Sequence, residues 1–163
     1  MLYVANDGGY IIKDRVFINR HDILGCPQFI FPTDCFECDD IIAPAIAELL
    51  QKGYITKYCC AGHIAPNIDN DAIDINNIEI IDSANVSIPY IMFYESITKD
   101  MITPLPEHWK FSQDGFEDGR LVIDAKIDTD RYAKHYDFFG YQRLLIDLCE
   151  ELYQWACQLK PLK

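Results

Sequence analysis

The sequence predicts a single α+β domain over residues 1–163, with a mixed or mostly antiparallel sheet and two principal helices. Three observations predict it. Apolar residues alternate in short runs cut by Gly, Pro and Asp, which is the period of strands. In two places the period lengthens to that of a helix, over Ile41, Ile42, Ala45, Ile46, Leu49 and Leu50, and over Leu144, Leu145, Leu148, Leu152, Ala156 and Leu159. Half of the residues are hydrophobic and 13% are aromatic, so the chain has the material for a core. At this length folding removes roughly 70% of the unfolded surface from water.

The elements follow in order. "LYVAN" and "YIIKD" flank Asp7-Gly8-Gly9, a turn sequence that predicts a hairpin. "RVFI" and "QFIFP" read as short extended pieces, the latter held to an edge or loop by Pro27 and Pro32. The first helical stripe runs from Ile41, with Asp39 or Asp40 able to cap it and Gly53 suited to the left-handed residue past its end. Pro44 sits inside that stripe, where it is expected to distort the first turn. "YITKYC" reads as a strand. Residues 58–98 hold no Lys or Arg, and their polar, acidic middle reads as a long loop with one short strand at Ile78–Ile81. "SIPYIMFYES" predicts a central strand. "ITKDMITPLPEHW" reads as a connection broken by Pro104 and Pro106, and "WKFSQDGFEDGRLVIDAKI" as a hairpin. A helix is predicted from about Phe139 to Leu159, with Cys149 on its apolar stripe and Cys157 at the edge.

Composition narrows the function classes. The net charge is −12 and the pI about 4.5. Such a chain repels phosphate backbones, which argues against nucleic acid as a partner. No apolar run reaches the ~20 residues that cross a bilayer. The N-terminus lacks a positive start followed by an apolar stretch, so a cytoplasmic protein is expected, without a disulfide framework for its seven cysteines.

Chemistry concentrates in "GYITKYCCAGH". A helix over Asp40–Lys52 rises about 20 Å, and a strand over Tyr54–Cys59 returns about the same distance after the Gly53 turn. The strand end is therefore expected beside the helix start. That gathers Cys59, Cys60, Ala61, Gly62 and His63 near Asp39, Asp40, Cys35 and Cys38.

Three chemistries suit the set. Cys35 and Cys38, with Cys59 or Cys60 and His63, offer thiolates and an imidazole of the kind that hold tetrahedral zinc. Cys60 and His63 form a candidate nucleophile and base, because a helix N-terminus and a protonated His each lower a thiol pKa. Asp39, Asp40, Cys59, Ala61 and Gly62 outline a ligand cradle, since the small residues let a ligand reach backbone N–H groups. The plain alternative is a strand end whose cysteines are packing. Asp69, Asp71 and Asp74 suggest oxygen ligands for calcium. However, Ala72 stands where the calcium loop needs Gly, and a solvated acidic loop is the expectation. His21, His108 and His135 have no ligand-like spacing.

The helix, "KGYITKYCCAGH" and the later strand "PYIMFY" resemble small bacterial and phage proteins with a Cys-Cys-x-Gly-His motif. More remotely, residues 39–94 are similar to the wybutosine-synthesis methyltransferase family, which carries Ser-Cys-Ser-Gly-Arg after a comparable helix and strand. Cys60 and Gly62 match that motif; Cys59, Ala61 and His63 stand in place of the two serines and the arginine. This second resemblance implies S-adenosylmethionine as cofactor and methyl transfer to a tRNA guanosine. The residues themselves support a small-ligand-binding or enzymatic domain with its site at Cys59–His63. The competing expectation is a non-catalytic interaction module, with or without structural zinc.

Overall fold

The computed structural model describes residues 2–5, 9–12, 17–19, 36–62, 87–112, 120–127 and 138–162. The expected α+β class is the one found, with its strands in two four-stranded sheets. In the first, β1 (Leu2–Ala5) pairs antiparallel with β2 (Gly9–Ile12), Leu2 opposite Ile12, across the turn sequence read above. β3 (Phe17–Asn19) extends this hairpin, and β4 (Phe36–Cys38) lies parallel to β1 on its other side. The order is β3-β2-β1-β4.

β4 runs into Asp39 and then α1 (Ala43–Gln51). The helix starts two residues later than the apolar stripe suggests, because Pro44 falls in its first turn. There the missing N–H costs nothing, and the fixed φ suits a helix entry. Residues 40–42 form a preceding turn, with the Ala43 N–H donating to the Asp39 carbonyl at 3.1 Å and the Ile41 N–H to Asp40 Oδ1 at 2.7 Å. The N-cap residue is Ile42, which makes no side-chain cap, one turn past the expected aspartates.

The C-terminus of α1 closes as its sequence suggests. Gly53 has φ +91°, its N–H reaches the Leu50 carbonyl, and the Tyr54 N–H reaches that of Leu49 at 2.9 Å. These two bonds make a Schellman closure, and both Leu49 and Tyr54 are buried.

The second sheet holds β5 (Thr56–Cys60), β6 (Tyr90–Phe93), β7 (Trp109–Phe111) and β8 (Val122–Ala125), antiparallel in the order β5-β6-β8-β7. A bulge at Lys57 shifts the β5–β6 register, so that Thr56 faces Phe93 and Tyr58 faces Met92. Beyond it, Cys59, Ile91, Ile123 and Phe111 form one row across the sheet. Ile91 and Ile123 are fully buried with Phe93 and Ala125, against Ile42, Ile46 and Leu49 of α1 and Leu148, Leu152 and Ala156 of α3 (Phe138–Gln158). Each large side chain so buried contributes about 1.5–3 kcal/mol.

Between β6 and β7, residues expected only to connect include a one-turn helix, α2 (Lys99–Ile102). It is too short for its period to show in sequence. The helices α1 and α3 pack together. Lys52, next to the Gly53 turn, donates from Nζ to the Ala156 and Cys157 carbonyls of α3 at 2.8 and 2.7 Å. Among the described residues no helix is long and apolar enough to cross a membrane.

Candidate functional site

The strand end meets the helix start, as the matched lengths of α1 and β5 require. The Ala61 N–H donates to Asp39 Oδ2 at 2.8 Å. The bond ties residues 22 apart and draws the Asp39 carboxylate toward the turn after β5.

Two of the gathered thiols are in contact. The Cys38 S–H donates to Cys59 Sγ, joining the end of β4 to β5 beside Ala43 and Ala47 of α1. This bond draws the Cys59 pKa below the ordinary thiol value, against burial and the Asp39 charge. It drives the Cys38 pKa up, with burial and the charges of Cys59, Asp39 and Asp40 in the same direction. The shared bond favours one thiolate of the pair, and Cys59, the less buried sulfur, is the one drawn down. Cys38 is buried and Cys59 half-buried.

Cys60 faces the other way, as the next residue along a strand must. Burial pushes its thiol up, opposed by the Gly62 N–H, 3.4 Å from Sγ, and by a hydrogen bond from Ser87. Cys60 stands opposite Tyr90, Tyr90 opposite Asp124, and Asp124 opposite Lys110, so these four form a row across the outer face of the second sheet. Burial raises the Tyr90 phenol, with the Cys60 charge adding to it.

The turn itself is closed. Ala61 and Gly62 are buried. Gly62 has φ +82°, and a Cβ there would lie 2.8 Å from Leu145 Cδ2 and from the Ser87 carbonyl. The Ala61 N–H, read from sequence as part of a ligand cradle, is already held by Asp39. The corner is acidic and thiol-rich, with Asp39 and Asp40 at the helix entry.

His63, Cys35 and the acidic stretch with Asp69, Asp71 and Asp74 lie outside the described residues, so the zinc set of Cys35, Cys38, Cys60 and His63 is represented there by two members. Those two, Cys38 and Cys60, do not share a face; Cys38 is instead with Cys59. A surface pocket of about 340 Å³ opens at the far end of β5, between Tyr54, Met101, Pro104, Trp155 and Lys160. It is remote in the fold from the thiols, because Tyr54 precedes the strand that Cys59 and Cys60 end.

Sequence reasoning passed over one further grouping. Among the described residues, Glu107, His108 and Glu151 bring a donor atom each within 4.8 Å of one another. No spacing rule could have found it, since Glu151 comes from α3, far along the chain. Compared with known proteins, the chain matches no family model, no curated protein and no solved structure.

Proposed function

We propose that the chain is a small-ligand-binding or enzymatic domain whose working group is the Cys59 thiol, at the corner shared by β4, α1 and β5. Cys38 and Asp39 are its positioning residues. One observation carries the reading: the Cys38 and Cys59 thiols are paired at this corner, with Cys59 the less buried of the two, an arrangement that favours a thiolate at Cys59. The thiolate is the nucleophilic and metal-binding form of cysteine. Asp39 and Asp40 give the corner negative charge, and the Ala61 N–H is engaged. The expected ligand is therefore neutral or cationic rather than a phosphate or carboxylate. S-adenosylmethionine, implied by the methyltransferase resemblance, has a net positive charge, and its sulfonium end rather than its carboxylate suits this corner.

The adjacent Cys38 and Cys59 sulfurs also favour a second reading, a structural zinc held by this pair together with ligands from elsewhere in the chain. Site-resolved alkylation separates the two. In metal-free protein treated with iodoacetamide across a pH series, the Cys59 rate should reach half-maximum below the ordinary thiol pKa. The Cys60 rate should do so above it. Cys38→Ala should move the Cys59 midpoint up by removing the donor. Asp39→Asn should move it down, because the amide oxygen still accepts the Ala61 N–H while the opposing charge is gone. A Cys59 midpoint at or above the ordinary value, indifferent to Cys38→Ala, sinks the thiol reading. One tightly held zinc in the purified chain, lost together with the fold in Cys59→Ser, replaces it with the structural one.

A further inference from the structure

Glu107 and His108 end the turn that leads into β7, and both are exposed. Glu151 lies on α3, with its side chain 28% exposed. His108 Nδ1 is 3.2 Å from Glu151 Oε1. A tetrahedral zinc with bonds of 2.0–2.1 Å spaces its donors about 3.4 Å apart. One edge of such a tetrahedron is therefore already present, and the other two edges need a contraction of little more than an ångström from the 4.8 Å limit. Side-chain rotation of the exposed His108 and Glu107 supplies that movement.

The backbone beneath is fixed. Trp109 is buried, and its indole N–H donates to the Leu148 carbonyl of α3 at 3.3 Å, one helical turn before Glu151. The His108 carbonyl accepts the Lys126 N–H at 2.8 Å, and the Glu107 carbonyl accepts Lys126 Nζ at 2.6 Å. Turn, strand and helix thus hold three donors from two segments on an anchored frame.

A second observation fits an ion engaged by both oxygens of the Glu151 carboxylate, whose Oε1 is the atom facing His108. Glu151 Oε2 is shielded from water and, among the described residues, has no hydrogen-bond partner. A carboxylate oxygen left so is costly, and a cation is the partner that satisfies it without a proton.

We propose that Glu107, His108 and Glu151 form a surface site for a divalent first-row transition ion, of which zinc is the type, held by one imidazole and two carboxylates. The imidazole selects such ions over magnesium and calcium, which take oxygen shells of six or more. Three protein ligands leave a fourth position for water. Bound there, the ion clamps the turn before β7 onto α3. The site is independent of the thiols around Cys59.

Cobalt(II) titration of the full chain tests it. One equivalent should bind with ligand-field bands but without the sulfur-to-metal charge-transfer absorption that thiolate ligation produces. His108→Ala and Glu151→Gln should each weaken that equivalent by more than about tenfold, and zinc should displace it while millimolar magnesium does not. His108 is exposed and Glu151→Gln keeps the shape of a half-buried side chain, so the fold is expected to persist in the variants, and an unchanged melting temperature without metal confirms it. If no equivalent with this spectrum binds at millimolar cobalt, or if it binds equally well in both variants, His108 and Glu151 are an ion pair only and the site is overturned.

Discussion

Gly62 shows how much one missing side chain decides. Its positive φ turns the chain out of β5, and its bare Cα lets Leu145 and the Ser87 carbonyl approach. Gly62→Ala meets both at 2.8 Å and Pro89 Cδ at 3.0 Å. Left-handed strain and overpacking together should cost about 2–4 kcal/mol, read as a lower urea midpoint at unchanged slope. The need for a small residue at this position was legible in "CCAGH"; its reason was not. Sequence suggests room for a ligand, whereas the space is filled by the protein itself. The division of labour between Cys59 and Cys60 was equally hidden, because it depends on which face β5 turns toward Cys38. That is a matter of partner and register, which adjacent letters do not encode.

Among the elements, α3 was legible almost to the residue, since its long amphipathic stripe leaves little choice of period. The start of α1 was not, because a proline in the first turn satisfies the helix while displacing its entry. α2 was missed because one turn has no periodicity. The bulge in β5 was missed because it exists only relative to β6. What joins α1 to α3 was also invisible. Lys52 is 13% exposed, also pairs with Glu48 at 3.1 Å, and places its ammonium on the last carbonyls of α3. There it adds a charged donor to the carbonyls at the helix end, where Ala156 also accepts the Leu159 N–H at 3.3 Å, and meets the negative end of the dipole. Lys52→Met keeps the stem and removes the charge. It should destabilise by about 2 kcal/mol, the scale of a charge-assisted hydrogen bond, with earlier hydrogen exchange in the last turn of α3.

For the whole molecule, the class and the meeting of strand end with helix start followed from lengths and periods, whereas the division of strands into two sheets depended on pairings between distant segments. The described core also sets an alkaline limit. Burial raises the Cys60 and Cys149 thiols and pushes the Tyr141 phenol up to about 12, while the bond to Cys59 and burial raise Cys38. Groups raised in the folded state are protonated there and ionise first in the unfolded chain. Their contribution is therefore full below the ordinary thiol value of 9.0 and lost as pH rises above it. Cys59, lowered, acts below that value: its contribution grows as pH rises toward 9.0 and is constant above it. The net expectation is a urea midpoint that holds to about pH 9 and then falls. Tyr141 is fully buried, and among the described residues its hydroxyl has no partner. Tyr141→Phe should raise stability by about 1 kcal/mol at neutral pH and soften the alkaline decline.

The bulge at Lys57 bears on how the β5 edge would meet another chain. Among the described residues β5 is the end strand of its sheet, with exposed Ile55 just before it and exposed Tyr58 within it, on either side of the irregularity. A flat border with such side chains is a template on which another chain can add a strand and continue into an aggregate. The extra residue breaks the regular sequence of free N–H and C=O groups and puts an ammonium between the two apolar side chains. The same few residues that deliver Cys59 to Cys38 thereby act as a guard against edge-to-edge polymerisation.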